Sequence, residues 1–304
     1  MSDGSAALRA RIASAADLQS MARTMKSIAA SNIGQYEAAT RALDLYVEVI
    51  EDSLALCLRA DRARPRQRAV DAGPAGAIVF GSDQGLVGQF NEAICARVVG
   101  PAPDQAYAML WPVGERVAAL LAERQGAQLH PFPLPASIDA VTALVGRLLV
   151  EVEASGVTRV DVFHHRPDGA SGYLPQQQQL LPLDQAWQRT LAARPWPTPA
   201  RAQVLPRGEA TLRACISEYL FVTLFRACAT SLASENAARL AAMQRAEKNI
   251  GENLQVLTQT FHRQRQGAID DELFDLVAGF EAQQAAAAAT VAAAAGRKRA
   301  NTQN

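Results

Sequence analysis

Apolar residues recur at helical steps over both ends of the chain and fall into short runs in the middle. Near the start, Leu43, Val47, Ile50, Leu54 and Cys57 follow a near-heptad seam. Ahead of it, Ile12, Ala15, Ala22, Met25, Ala29 and Ala30 make a thin, alanine-rich stripe on which a second helix can approach closely. Towards the other end, Leu254, Leu257, Phe261, Ile269, Leu273, Leu276 and Phe280 occupy one side of a helix. Tyr219-Leu220-Phe221-Val222 and Leu224-Phe225 are apolar nearly all round, which predicts burial on several sides. The distribution of proline agrees. All 15 prolines lie between Pro65 and Pro206, leaving 64 residues before and 98 after without one. A proline inside a helix costs roughly 3 kcal/mol, so long proline-free flanks favour long helices. A helix from near Glu209 to about Gln283 would extend roughly 110 Å, longer than an ordinary domain helix, and predicts a coiled coil or bundle. Gly34, Gly251 and Gly267, each costing about 1 kcal/mol in a helix, mark places for local bending.

The middle has a different rhythm. Ala77-Ile78-Val79-Phe80 predicts a buried strand, then a glycine turn and a helix over Gln89–Val99. Ala106–Trp111 predicts a second strand followed by a helix over Glu115–Arg124; Ile138–Ala154 is helical and Arg159–His165 a third strand. Strands alternating with helices predict a small, parallel-type sheet with helices packed on it. Gln176–Pro182 adds an edge strand, and Pro195–Pro206 is a linker into the last helix. The expected organisation is a helix over 1–64, an α/β domain over 65–206, a helix over 207–283 and an alanine-rich, polar tail over 284–304. The fold class is thus α/β plus a long antiparallel coiled coil, with a Rossmann-like domain inserted between the two helices.

Composition narrows the function. Hydrophobic content of 49% suits a globular protein, and a formal net charge of zero argues against a nucleic-acid binder, whose affinity rests on neutralising phosphates. The basic cluster Arg59, Arg62, Arg64, Arg66 and Arg68 lies where the first helix meets proline, and basic groups are favoured at a helix C-terminus. Cys57, Cys95, Cys215 and Cys228 are far apart in sequence and form no C-x-x-C pair, and no secretory signal opens the chain; reduced cytoplasmic thiols are expected. No apolar run approaches the roughly 20 residues that span a bilayer, Ala285–Ala295 being mostly alanine and too short, so no direct bilayer insertion is expected.

Candidate chemistry is sparse. Gly81–Gly88 occupies the position of a dinucleotide-binding turn, but its spacing is not G-x-G-x-x-G, and the second strand is expected to end at Trp111-Pro112 without an acidic residue. It is expected to be a tight structural turn. There is no G-x-x-x-x-G-K-[ST], and the only lysines are Lys26, Lys248 and Lys298. His164 and His165 face opposite sides of a strand, cannot easily share a metal, and are expected at a strand end reaching the surface. No nucleophile–base arrangement is apparent. No catalytic residue, cofactor or metal site is expected.

Four segments carry a resemblance. Met25-Lys26-Ser27-Ile28-Ala29-Ala30-Ser31 resembles an A-M-x-M-V-A-A-S-K segment, and Gly81–Asn91 an S-D-R-G-L-C-G-G-x-N turn. Glu218-Tyr219-Leu220 with Ser231–Met243, and Arg265-Gln266-Gly267-Ala268-Ile269-Asp270-Asp271-Glu272, are similar to two segments of a C-terminal helix, the latter to R-Q-A-x-I-T-x-E. The family they resemble is the gamma subunit of rotary F-type ATP synthases, from about Leu8 to Glu281. Asn32 in place of a lysine, His262, Asp270, Gly279-Phe280 and the tail after Glu281 depart from the pattern and suggest a divergent branch, of an alternative or ion-variant synthase.

The resemblance implies a non-catalytic rotor shaft on the cytoplasmic face of a bacterial plasma membrane, coupling proton or sodium flow to ATP synthesis or hydrolysis. The implied partners are the alpha and beta subunits of the catalytic ring, the epsilon subunit and the membrane c-ring. By match, Arg265, Gln266 and Glu272 are candidate contacts with loops of the ring, and Met25 and Lys26 with the lower beta subunits. Leu273, Leu276 and Phe280 would turn in an apolar collar. A static coiled-coil scaffold and a dinucleotide enzyme with helical extensions are the alternatives.

Overall fold

The computed structural model describes residues 2–60, 73–100, 107–123, 127–169, 172–196 and 209–300. The chain forms two compact units, Met1–Ala22 with Arg245–Asn304, and Arg23–Gln244. Two helices contribute to both, α1 (Ser2–Ala60) and α6 (Glu209–Ala300).

In the first unit α1 and α6 pair antiparallel. The Arg9 guanidinium lies 5.2 Å from the centre of the Phe261 ring, and Gln19 Nε2 stands 3.2 Å from where a Cβ on Gly251 would sit. Leu8 and Ala22 are buried. The helix continues through the alanine-rich stretch to Ala300, as the high helix propensity of alanine favours.

The second unit is built on a five-stranded sheet of order β3-β2-β1-β4-β5. β1 (Ala75–Phe80), β2 (Met109–Val113), β3 (Gln128–Leu129) and β4 (Arg159–Asp168) are parallel, whereas β5 (Gly172–Leu181) runs antiparallel to β4. Strand alternation splits β1 between two cores. Ala77 and Val79 face α2 (Phe90–Val99) and α3 (Glu115–Ala122), meeting Ile94, Val98, Val117 and Leu121. Ile78 and Phe80 face α4 (Ile138–Ser155) and α6, meeting Leu144, Leu148, Leu224 and Cys228. Covering both faces is what makes these strands read as unbroken apolar runs. Ser137 Oγ caps α4 by accepting from Ala140 N (3.3 Å), and Gly156 ends it at φ +69°.

β2 runs to Val113, two residues past Trp111. The Phe132 N–H donates to the Pro112 carbonyl (2.8 Å), so the missing proline donor falls on the side where β3 has already ended at Leu129. No element was expected over α5 (Gln185–Ala193), which Asp184 caps through Ala186 N (2.9 Å). Its Leu191 and Ala192 close a small core with Leu54, Leu58, Leu212 and Ile216. That pairing of α1 and α6 is again antiparallel, with Asp44 bridging Arg226 at 3.0 Å and Asn32 bonding Asn236 at 3.3 Å.

By length and composition α6 contains an 18-residue window apolar enough to cross a membrane, of which 44% is buried. The buried Leu224, Cys228 and Leu232 of this helix pack on the sheet, so a core helix accounts for the composition. Ala106, the linker residues 197–206 and the basic residues from Arg62 onward lie outside the described residues.

Candidate functional site

Within the second unit, three of the resembling segments converge. Asn32 and Tyr36 of α1, Asp83 and Gln84 of the β1–α2 turn, and Glu235, Asn236 and Arg239 of α6 line one cavity of about 220 Å³. Glu235 and Asn236 are buried polar residues whose hydrogen bonds are made inside the fold. The Arg239 guanidinium donates to Glu235 at 2.6 Å, and Asn236 Nδ2 donates to the Leu232 carbonyl at 2.8 Å while its Oδ1 accepts from Asn32. Burial raises the Glu235 carboxyl above its usual range, partly offset by Arg239. Asn32, a departure from the family pattern, thus completes an amide pair between α1 and α6.

The turn over Gly81–Gly88 is held from within. Asn91 Oδ1 accepts from Ser82 N (2.9 Å), and Asn91 Nδ2 donates to Ser82 Oγ (2.8 Å), which donates to the Gln84 carbonyl. Asp83 Oδ1 accepts from Glu115 N at the start of α3 (2.9 Å). A Cβ on Gly81 would collide with Val117 and stand 2.8 Å from Asn91 Oδ1, so the close packing of this turn against α2 and α3 requires glycine here. Gly114, at φ +116°, lets the start of α3 approach the Ser82 backbone, where a Cβ would meet the carbonyl oxygen at 2.8 Å. Leu86 carries a left-handed φ of 64° and is exposed, whereas Val87 is buried below it.

Both histidines are buried, which corrects the expectation of a strand end at the surface. β4 lies between β1 and β5, and His165 stacks on Phe90 at 3.8 Å between ring centres, with Tyr173 edge-on at 5.1 Å. His164 lies on the opposite face, where it lines a larger cavity of about 550 Å³ with Arg166, Gln178 and Arg226. Burial lowers His164 from 6.5 to about 4 and His165 to about 3. Both side chains are therefore neutral near pH 7. Among the described residues, no three His, Cys, Asp or Glu side chains group as a metal site.

The residues singled out from the sequence do not form one cluster. Met25 and Lys26 are half-buried on α1 in the second unit. Arg265, Gln266 and Glu272 are exposed on α6 in the first. Leu273, Leu276 and Phe280 are 55%, 71% and 63% exposed, alongside exposed Ile269, Phe274 and Val277. So much uncovered apolar surface on one helical segment is characteristic of a binding surface. The sequence reading assigned no role to Glu235, Asn236 or Arg239, although they lie in a quoted segment. It also missed buried Asp161, which accepts from Tyr107 Oη and Arg159, both at 2.7 Å. A charged residue in a strand gives no local sign of the partner it will meet.

Comparison with known proteins follows the same lines. A family model described as ATP synthase matches residues 5–283. The ATP synthase gamma chain of Sphingopyxis alaskensis is 27% identical over 295 residues, covering 90% of this chain and 98% of that one. The gamma chain of Moorella thermoacetica is 27% identical over 285 residues, covering 90% and 97%. Among solved structures, a chain of the Euglena gracilis mitochondrial ATP synthase rotor superposes with a TM-score of 0.64 at 14% identity, covering 88% of this chain and 100% of that one. A chain of the OSCP/F1/c-ring assembly of the same enzyme gives 0.66 at 14%, covering 94% and 96%. The chain belongs to the ATP synthase family, as a gamma chain. It is the central rotor-shaft subunit of that complex, in the sector peripheral to the membrane.

Proposed function

We propose that this chain couples ion flow to ATP synthesis or hydrolysis by presenting different side chains of its helices to chemically identical subunits of the catalytic ring. The observation that carries this reading is the exposed segment of α6 from Arg265 to Phe280, polar at Arg265, Gln266 and Glu272 and apolar at Leu273, Leu276 and Phe280. A shaft biases nucleotide affinity only if its contacts differ between subunits, because equal contacts shift no equilibrium. Residues 1–64 and 207–283 supply the shaft in this reading, 65–206 the domain outside the ring and 284–304 a tail. Alpha and beta subunits surround the helices, with Met25 and Lys26 towards the lower beta subunits. The epsilon subunit and the c-ring meet the α/β domain, on the cytoplasmic face of a bacterial plasma membrane. In this reading the chain itself supplies no catalytic group.

The test is Arg265→Ala combined with Glu272→Ala. Alanine is well tolerated at exposed helix positions, so the variant is expected to assemble with alpha and beta subunits. It should change ATP turnover or ion pumping measured on the same preparation. Wild-type values for both, with assembly confirmed, would place the torque contacts elsewhere.

A further inference from the structure

Cys57 of α1 and Cys215 of α6 are separated by 157 intervening residues, yet their Sγ atoms are 3.8 Å apart. Both belong to the second unit. Cys57 is 6% exposed, whereas Cys215 is partly open to solvent. The neighbouring Leu54, Leu58, Leu212 and Ile216, packed on Leu191 and Ala192, hold the two helices side by side at this level. Cys95 and Cys228, the other two thiols, are buried in the cores on the two faces of the sheet.

We propose that Cys57 and Cys215 form a reversible disulfide that staples α1 to α6 when the chain meets a low-molecular-weight disulfide of the glutathione type. The gap exceeds the roughly 2.05 Å of a sulfur–sulfur bond, so closure requires the side chains to turn towards each other across a contact they already make. In the first step the Cys215 thiol gives its proton to water, and its thiolate attacks one sulfur of the oxidant. A mixed disulfide forms and one thiolate of the oxidant leaves. In the second step Cys57 loses its proton and attacks the Cys215 sulfur, expelling the second small thiol. Two protein thiols and one small disulfide thus become one protein disulfide and two small thiols. Burial pushes the Cys57 thiol up to about 11, which disfavours it as the first attacker and suits it to the resolving step, where its target is adjacent. This chemistry is independent of the coupling role of the chain.

The experiment treats the reduced, full-length chain with oxidised glutathione at neutral pH and follows thiol titre, intact mass and linked peptides from a non-reducing digest. The expected result is loss of two of the four thiols, a mass lower by two hydrogens, and a peptide joining Cys57 to Cys215 that a dithiol reductant separates. The oxidised chain should also melt at a higher temperature than the reduced one, because the link restricts the unfolded state. Cys57→Ala should stop at a glutathione adduct on Cys215, and Cys215→Ser should retain its remaining thiols. Circular dichroism of each variant establishes that it is folded before thiols are counted. A wild-type chain that keeps all four thiols, stops at the Cys215 adduct, or links Cys95 or Cys228 instead would overturn the proposal.

Discussion

Single residues in the core show how narrowly the second unit is specified. Asn91 uses both ends of its amide on Ser82, and both residues are buried. Asn91→Ala leaves the Ser82 N–H without its acceptor and should cost about 1–3 kcal/mol, read from the midpoint of urea denaturation. An unchanged midpoint would mean that water replaces the amide at no cost. The buried histidines predict a pH dependence. Unfolded, they take up protons near 6.5; folded, His164 does so only near 4 and His165 only near 3. Below about pH 6.5 the unfolded chain therefore binds more protons, and stability falls as pH drops towards 4, by up to about 1.4 kcal/mol per pH unit for each imidazole. Urea midpoints at about pH 7.5 and about pH 5 should differ in that direction, and His165→Phe should flatten the slope. His165 already stacks on Phe90 with Tyr173 edge-on, an aromatic setting in which phenylalanine is the conservative replacement.

Among the elements, the long helices and most strands were legible because their signals are local. Ile78 and Phe80 alternate with Ala77 and Val79 whatever the chain does elsewhere. The antiparallel sense of β5 and the existence of α5 were not legible. β5 takes its direction from the hairpin it makes with β4, and α5 is a short helix whose Leu191 is buried only because Leu54 and Ile216 arrive from distant parts of the chain. At the far end of α6, residues 281–286 are exposed and the sequence beyond is mostly alanine, which offers little apolar area to bury. Deleting Ala285–Asn304 should leave complex assembly and ATP hydrolysis intact, and loss of the alpha and beta subunits in a pull-down would contradict this. The exposed Leu273 and Phe280 just before it predict the opposite for a cut that removes them.

On the scale of the whole chain, the β1–α2 turn is the place to test for nucleotide binding. The strand–turn–helix at Gly81 has the placement of a nucleotide site, yet its spacing is not G-x-G-x-x-G, its backbone packs closely on Val117 and Asn91, and Asp83 is committed to the start of α3. The isolated chain is expected to bind neither ATP nor NAD appreciably, and micromolar heats in a calorimetric titration would refute that. The sheet instead gives a rigid seat to α6 through Leu224, Cys228 and Leu232.

By itself the sequence determined the helical flanks, the alternating middle and the family, because periodicity, proline placement and short motifs are properties of neighbouring residues. It also contained the exposed row from Arg265 to Phe280 as a pattern, although the pattern alone does not say whether such a stripe is covered. The tertiary structure decided that His164 and His165 are interior, that Asp161 meets Tyr107 and Arg159, and that Asn32 meets Asn236. It also decided that Cys57 faces Cys215. Each depends on residues far apart in the chain, and contacts at that range are chosen by packing, to which local periodicity is blind.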